Sequence, residues 1–387
     1  MLKQLSLHHL TAGFVAVLVG FTSSVAIVFQ AAQAAGATPS QITSWLLALG
    51  IGMAFTSGVF SWLYRQPVLT AWSTPGAALL ATSLVGISLP EATGIFIFAA
   101  VLTIVFGLTG WFERISQFIP LPIASAMLAG VLFRFGLDVF VSMQHEFTLV
   151  LLMFLSYLLA KRFVPRYAIM LVLLIGLGFA GTQGMIQFDA LELKLATPEF
   201  VMPVFNWVSM LSVGVPLFIV TMTSQNLPGI AVMKANGFHP PLSPIITWTG
   251  IATLVLAPFG GFMFNLAAIT AAICMGKEAD EDPDKRYLAS LSASLVYLIV
   301  GLFGATIVVL FTALPQALIL SIAGLALLST IANGLHTALA DESEREAALI
   351  TFLVTASGMA LWGIGAAFWG LIAGILARWI FMVYRGN

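Results

Sequence analysis

Two stretches of this chain combine residue types able to hold a small ion inside an apolar setting. Pro67-Val-Leu-Thr-Ala-Trp-Ser-Thr-Pro-Gly76 opens with residues that read as extended, because Thr74 precedes a proline and that position is biased away from helix. Pro75 then suits a first helical turn, with Ser73 or Thr74 as its cap. Pro258-Phe-Gly-Gly-Phe-Met-Phe-Asn265 repeats the arrangement, with Asn265 as cap before Leu-Ala-Ala-Ile-Thr-Ala-Ala-Ile. A half-helix that starts inside a membrane offers free N–H groups and about half a positive charge. That is chemistry for holding an anion by non-covalent contacts. A pair of proline-kinked helices is the plainer alternative.

The elements that position these stretches must cross a membrane. Of 387 residues, 60% are hydrophobic and 8% charged, against about 25% charged in a soluble domain. Fifteen basic residues face sixteen acidic ones, which leaves no basic surface for nucleic acid. The single cysteine, Cys274, excludes an internal disulfide, a thiolate metal cluster and a CxxC pair. The apolar residues run through the whole length, so the chain reads as an all-α, polytopic integral membrane protein that requires no cofactor.

Each crossing takes about 20 residues. Reading between the charges gives fourteen spans: 10–31, 42–62, 68–88, 92–112, 118–140, 144–161, 167–186, 205–233, 242–258, 259–276, 287–313, 316–336, 347–362 and 364–384. No signal peptide is expected, since Lys3 is the only early charge and no small-residue cleavage site follows. With the N-terminus cytoplasmic, Lys3, Arg65, Arg114, Lys161, Arg162, Arg166, Lys234, Lys277, Lys285, Arg286, Arg345 and Arg385 all fall inside. Arg378 reaches that face by snorkelling, Lys194 lies outside, and Arg134 sits within a span. Both termini are therefore expected in the cytoplasm.

Seven plus seven spans invites an inverted repeat, 1–190 and 200–387. An offset of 201 residues aligns Gly13 with Gly214, Thr22-Ser23 with Thr223-Ser224, and Ala34, Gly36 and Pro39 with Ala235, Gly237 and Pro240. Small residues crowd membrane helices, so chance is the competing explanation. Because seven is odd, the second half is inverted relative to the first.

The runs Thr70-Ala-Trp-Ser-Thr-Pro-Gly-Ala-Ala-Leu-Leu80, Val220-Thr-Met-Thr-Ser-Gln-Asn-Leu-Pro-Gly-Ile230, Ala267-Ala-Ile-Thr-Ala-Ala-Ile-Cys274 and Ala367-Phe-Trp-Gly-Leu-Ile-Ala-Gly374 resemble the BenE family of bacterial benzoate transporters. The likeness covers essentially the whole chain. It implies proton-coupled benzoate uptake across the inner membrane. It also implies the fold shared with uracil, xanthine and sulfate transporters, with a core domain (1–112 and 205–313) moving elevator-like against a gate domain (113–190 and 314–387). Relatives of this fold often pair as dimers, but no residue here marks an interface.

Carried onto this chain, the resemblance puts the substrate between the half-helix starts of spans 3 and 10. Ser73, Thr74, Pro75 and Gly76 then form one wall, with Phe264 and Asn265 opposite, and Ser23 and Ser24 of span 1 and Gln225 and Asn226 of span 8 alongside. Gln225 and Asn226 stand where nucleobase transporters keep a glutamate, and Phe264 where they carry a second acidic residue. Both departures tell against a uracil-like substrate. None of the sixteen acidic residues falls in the middle of the four site helices. Two convergent helix starts approximate one compensating charge, which suits a monoanion. Phe262, Phe264 and Trp72 are candidates to face a ring, although packing duty competes for each.

Anion entry into a negative interior is opposed by about 2.3 kcal/mol per charge per 100 mV, which a co-transported proton cancels. His8, His9, His145, His239 and His336 sit at or near span ends. Asp138, four residues after Arg134 on one helix face, is the candidate proton-coupling group, with a structural ion pair as the alternative. Lys277–Arg286 reads as a solvated inner loop, and Asp341, Glu342, Glu344 and Glu346 suit the start of span 13. The competing functions are a same-fold permease for a nucleobase or another small anion, a channel, and an intramembrane enzyme. No polar stripe runs along several spans, and no HExxH, GxSG-type serine, paired intramembrane aspartates or P-loop appears.

Overall fold

The computed structural model describes residues 5–110, 120–186, 193–277, 279–361 and 364–385. Lys3 and Arg114, two charges assigned to the inner side, lie outside the described residues, as do the expected boundaries at 112–113 and 190.

The first long helices start where the sequence offers caps. Helix α1 (Leu7–Ala34) follows Ser6, which forms a reciprocal capping box with His9, and α2 (Pro39–Tyr64) follows Thr38, which does the same with Gln41. A short strand, β1 (Thr70–Trp72), leads into α3 (Thr74–Ser83), and α4 (Leu89–Thr109) completes the first group. Then come α5 (Leu121–Ser142), α6 (Phe147–Phe163) and α7 (Ala168–Thr182). The second half holds α8 (Trp207–Lys234), α9 (Leu242–Leu256), β2 (Phe264–Leu266), α10 (Ile269–Met275), α11 (Tyr287–Leu302) and α12 (Gly304–Ala313). Helices α13 (Gln316–Leu339) and α14 (Arg345–Ala356), a small hairpin of β3 (Ala360–Leu361) and β4 (Ile364–Gly365), and α15 (Ala366–Arg385) follow.

Among the described residues eight helices are long and apolar enough to cross a bilayer, and several apolar helices are shorter. Large side chains such as Phe55, Trp62, Leu108, Leu155, Trp248, Leu295 and Trp379 are exposed around the outside. So much exposed apolar surface belongs against lipid. Helix α2 packs along α11, α4 along α9, and α5 along α13, while α14 lies between α5 and α15.

The fold departs from the sequence expectation in four places. The expected single span 287–313 is two helices separated at Phe303. A second small sheet, the β3–β4 hairpin, interrupts the span expected at 347–362, whereas β1 and β2 fall on stretches expected to be extended. Helix α8 contains two π turns, Met210–Gly214 and Met222–Asn226. Each precedes a proline by two residues, Pro216 and Pro228, whose ring nitrogens cannot donate to the preceding turn, so the helix widens there.

The fourth departure is at the edge of the expected solvated loop: Lys277, Glu281 and Pro283–Lys285 are exposed as expected, whereas Ala279 and Arg286 are buried. Arg286 is buried and donates to the carbonyl oxygens of Met275 and Asp280, at 2.9 and 2.8 Å. Asp280 in turn reaches His9 Nε2 at 2.9 Å. On the exposed side, the Lys285 ammonium donates to Asp282 and holds that carboxyl below its usual range. Glu344 is likewise buried and accepts from Arg378 Nε at 2.6 Å, so Arg378 is held in an ion pair instead of snorkelling free.

Candidate functional site

Strands β1 and β2 lie side by side and antiparallel in the middle of the molecule, with Thr70 opposite Leu266, Ala71 opposite Asn265 and Trp72 opposite Phe264. The ladder is extended at both ends by Ser73 N–H to Met263 O (3.0 Å) and Ala267 N–H to Leu69 O (2.9 Å). The two stretches singled out in the sequence, almost 200 residues apart, therefore meet directly.

Non-helical backbone at membrane depth persists only where protein groups satisfy it. Thr70 N–H donates to Ser57 Oγ at 2.9 Å, and the Thr70 hydroxyl lies 2.6 Å from Thr56 Oγ1 and 2.8 Å from Ser57 Oγ. Ser61 Oγ donates to Val68 O at 2.8 Å, so one face of α2 serves the whole unwound approach to β1. On the other strand, Phe264 N–H donates to Thr253 Oγ1 of α9 (3.1 Å) and Leu266 N–H to Asn226 Oδ1 of α8 (2.9 Å). Hydroxyls at 56, 57 and 61 in the mostly apolar second half of α2 are the sequence signal for this cradle.

Of the two candidate caps, Ser73 takes the position before α3, and its Oγ accepts from Gly76 N–H at 3.1 Å. The same oxygen accepts from Thr221 Oγ1 of α8 at 2.9 Å. Trp72 is buried, donates from Nε1 to Ser24 Oγ at 2.9 Å and stacks obliquely on Phe21 with centroids 5.5 Å apart. Spans 1, 3, 8 and the β2–α10 segment are thus joined through Ser24, Trp72, Ser73, Thr221 and Asn226.

The expected second cap is corrected. Asn265 lies inside β2, and α10 begins only at Ile269, with Ala268 preceding it. Strand pairing takes the backbone around Asn265, which prevents the helix from starting there. Asn265 is fully buried; its Nδ2 donates to Leu266 O at 3.3 Å, and its Oδ1 has no hydrogen-bond partner.

The remaining residues sort by exposure. Phe264 is fully buried against α2, where a Cβ on Gly52 would lie 2.0 Å from its ring, so it faces packing and not an opening. Phe262 is buried against Trp45 and Phe96, with centroids 5.8 and 5.9 Å away. Pro75, Gly76, Ser24 and Asn226 are buried, whereas Ser23, Thr74 and Gln225 keep partial exposure. Gln225 and Asn226 look equivalent in sequence; the π turn separates them, giving Asn226 to the β2 backbone and leaving Gln225 at the partly open side. Asp138 is elsewhere. It is half-buried on α5 and lines a cavity of about 540 Å3 with Ser142, His145 and Glu146 from its own chain segment and Gln316 and Leu320 from α13.

The arrangement offers the start of α3, hydroxyls and the Gln225 amide at its partly open side, around a centre without a carboxylate among the described residues, which suits binding and not bond-breaking. Residues 3–380 match the family model described as BenE, benzoate membrane transport protein. The chain is 51% identical over 365 residues to the inner membrane protein YdcO of Escherichia coli K12, covering 94% of this chain and 93% of that one. It is 42% identical over 377 residues to the benzoate membrane transport protein of Acinetobacter baylyi, covering 97% and 96%. Among solved structures, the transmembrane domain of the cyanobacterial bicarbonate transporter BicA matches with a TM-score of 0.61 at 14% identity, over 97% of this chain and 98% of that chain. SLC26A9 matches with a TM-score of 0.62 at 13% identity, over 96% of this chain, which spans 65% of the SLC26A9 chain.

Proposed function

Since the chain belongs to the BenE family of benzoate membrane transport proteins, we propose that it imports benzoate or a similar aromatic carboxylate with a proton across the bacterial inner membrane. It is a membrane transporter and not an enzyme. The observation that carries the reading is the pairing of β1 with β2, which sets the start of α3 beside the β2–α10 segment. In this account the carboxylate rests at the α3 start near Thr74, with Ser23 and Gln225 at its open border, and Asn265 lies beneath it.

Fourteen crossings in two inverted repeats are supported by matched details. Helix α1 ends with Gly36 at φ +72° and α8 with Gly237 at φ +82°, residues related by the 201-residue offset. Both ends carry the same paired bonds, Gly36 N–H to Gln33 O and Ala37 N–H to Ala32 O against Gly237 N–H to Lys234 O and Phe238 N–H to Met233 O. A Cβ on Gly13 would lie 2.6 Å from Ala289 O of α11, and one on its repeat mate Gly214 2.7 Å from Phe98 of α4. Under the repeat, α11 and α4 are also mates. The pairing of α2 with α11 then mirrors that of α9 with α4.

A core of α1–α4 and α8–α12 and a gate of α5–α7 and α13–α15 follow the same division, with transport by movement of one against the other. Cytoplasmic termini follow from the positive charges. Asp138, on α5 of the gate, is proposed to carry the coupling proton. The test is uptake of labelled benzoate into proteoliposomes with and without an inward proton gradient, competed by uracil or salicylate. Gradient-dependent accumulation blocked by salicylate supports the reading; competition by uracil alone supports the nucleobase alternative, and accumulation indifferent to the gradient removes the symport.

A further inference from the structure

A cavity of about 570 Å3 opens at the end of α1 opposite the N-terminus, between α1, α3, α12 and α13. Small-molecule sites commonly fall between about 300 and 1,000 Å3. Three primary amides, Gln30, Gln33 and Gln316, and the hydroxyl of Thr312 line it, together with Phe29 and Phe311. None of its lining residues is charged. Gln30 Nε2 is buried and has no hydrogen-bond partner. A buried donor left unmade is costly, and an oxygen acceptor entering the cavity relieves it. Beside the amides, the Phe29 and Phe311 rings lie with centroids 5.6 Å apart and planes 33° from parallel, an apolar flank for a third ring.

We infer that this cavity is a second binding site, at the mouth, for an aromatic monocarboxylate: amide N–H groups of Gln30, Gln33 and Gln316 hold the carboxylate, and Phe29 and Phe311 flank the ring. The inference rests on the transport reading, because it takes the same substrate class. Under the orientation proposed above the cavity faces outward, so substrate occupies it before reaching the α3 start. Uncharged amides suit a single negative charge. The neighbouring 540 Å3 cavity shares Gln316 and Leu320 and carries Asp138 and Glu146, whose charges oppose a second carboxylate. The mouth site therefore selects monoanions over dianions.

The test is equilibrium dialysis of the purified full-length protein with labelled benzoate, alongside uptake kinetics in proteoliposomes. The wild type is expected to bind two equivalents. Gln30→Leu with Gln316→Leu, and separately the near-isosteric Gln30→Glu, are expected to bind one and to raise the half-saturating concentration for uptake about tenfold with the maximal rate retained. Gln225→Ala is expected to keep the mouth equivalent, and excess phthalate, a dicarboxylate, to leave it in place. A single equivalent in the wild type, bound equally well by Gln30→Glu, overturns the mouth site and leaves the transport reading standing. Absence of benzoate binding by every form overturns the transport reading and the mouth site with it.

Discussion

Thr221 donates its hydroxyl hydrogen to Ser73 Oγ at 2.9 Å, tying the helix that carries Gln225 to the residue that caps α3. One serine oxygen thus both closes the first turn of a half-helix and fixes the distance between two walls of the proposed site. Replacing an N-cap serine with alanine costs about 1 kcal/mol. Ser73→Ala is expected to lower thermal stability in detergent by a matching amount and to weaken benzoate binding more than Thr221→Val, which leaves the cap in place. Melting curves and binding isotherms of the two variants check this order.

Asn226 and Gln225 separate structure from binding. Asn226 Oδ1 accepts the buried Leu266 N–H, whereas Gln225 keeps partial exposure. Asn226→Leu leaves that N–H without an acceptor, a loss of about 1–3 kcal/mol. It is expected to melt earlier, with Asn226→Asp recovering much of the loss because a carboxylate still accepts. Gln225→Ala is expected to leave melting unchanged and to weaken benzoate binding several-fold. Parallel melting and binding measurements on the three variants decide it.

Phe264 depends on Gly52. A methyl group there would lie 2.0 Å from the phenylalanine ring, and both residues are buried. Gly52→Ala must push the ring and with it β2, at a cost of about 1–3 kcal/mol typical of overpacking. Stability and uptake are both expected to fall, and Phe264→Leu in the same chain to recover part of each. A double-mutant cycle on melting temperature shows whether the two positions couple.

Asp138 lines the 540 Å3 cavity beside the mouth site and is proposed to hold the coupling proton. Asp138→Asn is expected to abolish accumulation driven by a proton gradient while leaving exchange of labelled for unlabelled benzoate. Comparing the two assays in the same proteoliposomes checks the assignment. Unchanged gradient-driven uptake would remove Asp138 from the mechanism.

Sequence patterning reached the broken segments because proline and glycine declare them: Thr74-Pro75 and Gly260-Gly261 cannot continue a regular helix. The same local rule narrows the cap to Ser73 or Thr74, and the structure uses Ser73. Asn265 escapes such a rule, because its fate depends on pairing with Ala71, a partner 194 positions away that no local rule reveals. The packing of Phe264 is hidden for a related reason, since its burial depends on the missing side chain of Gly52 in another span. The division of labour between Gln225 and Asn226 was hidden because a π turn shifts which residue faces inward. Its signal, Pro228 two positions on, was already present.

The account centres on a carboxylate held at the start of α3. The native cysteine, Cys274, is fully buried, so a Cys274→Ser background leaves room for a single reporter. With Thr74→Cys added, the rate of modification by a small charged thiol reagent can be followed while benzoate is titrated. The account predicts that benzoate slows the reaction at concentrations near its half-saturation for uptake and that uracil does not. A rate unchanged by saturating benzoate, in a variant that still takes up benzoate, would contradict it.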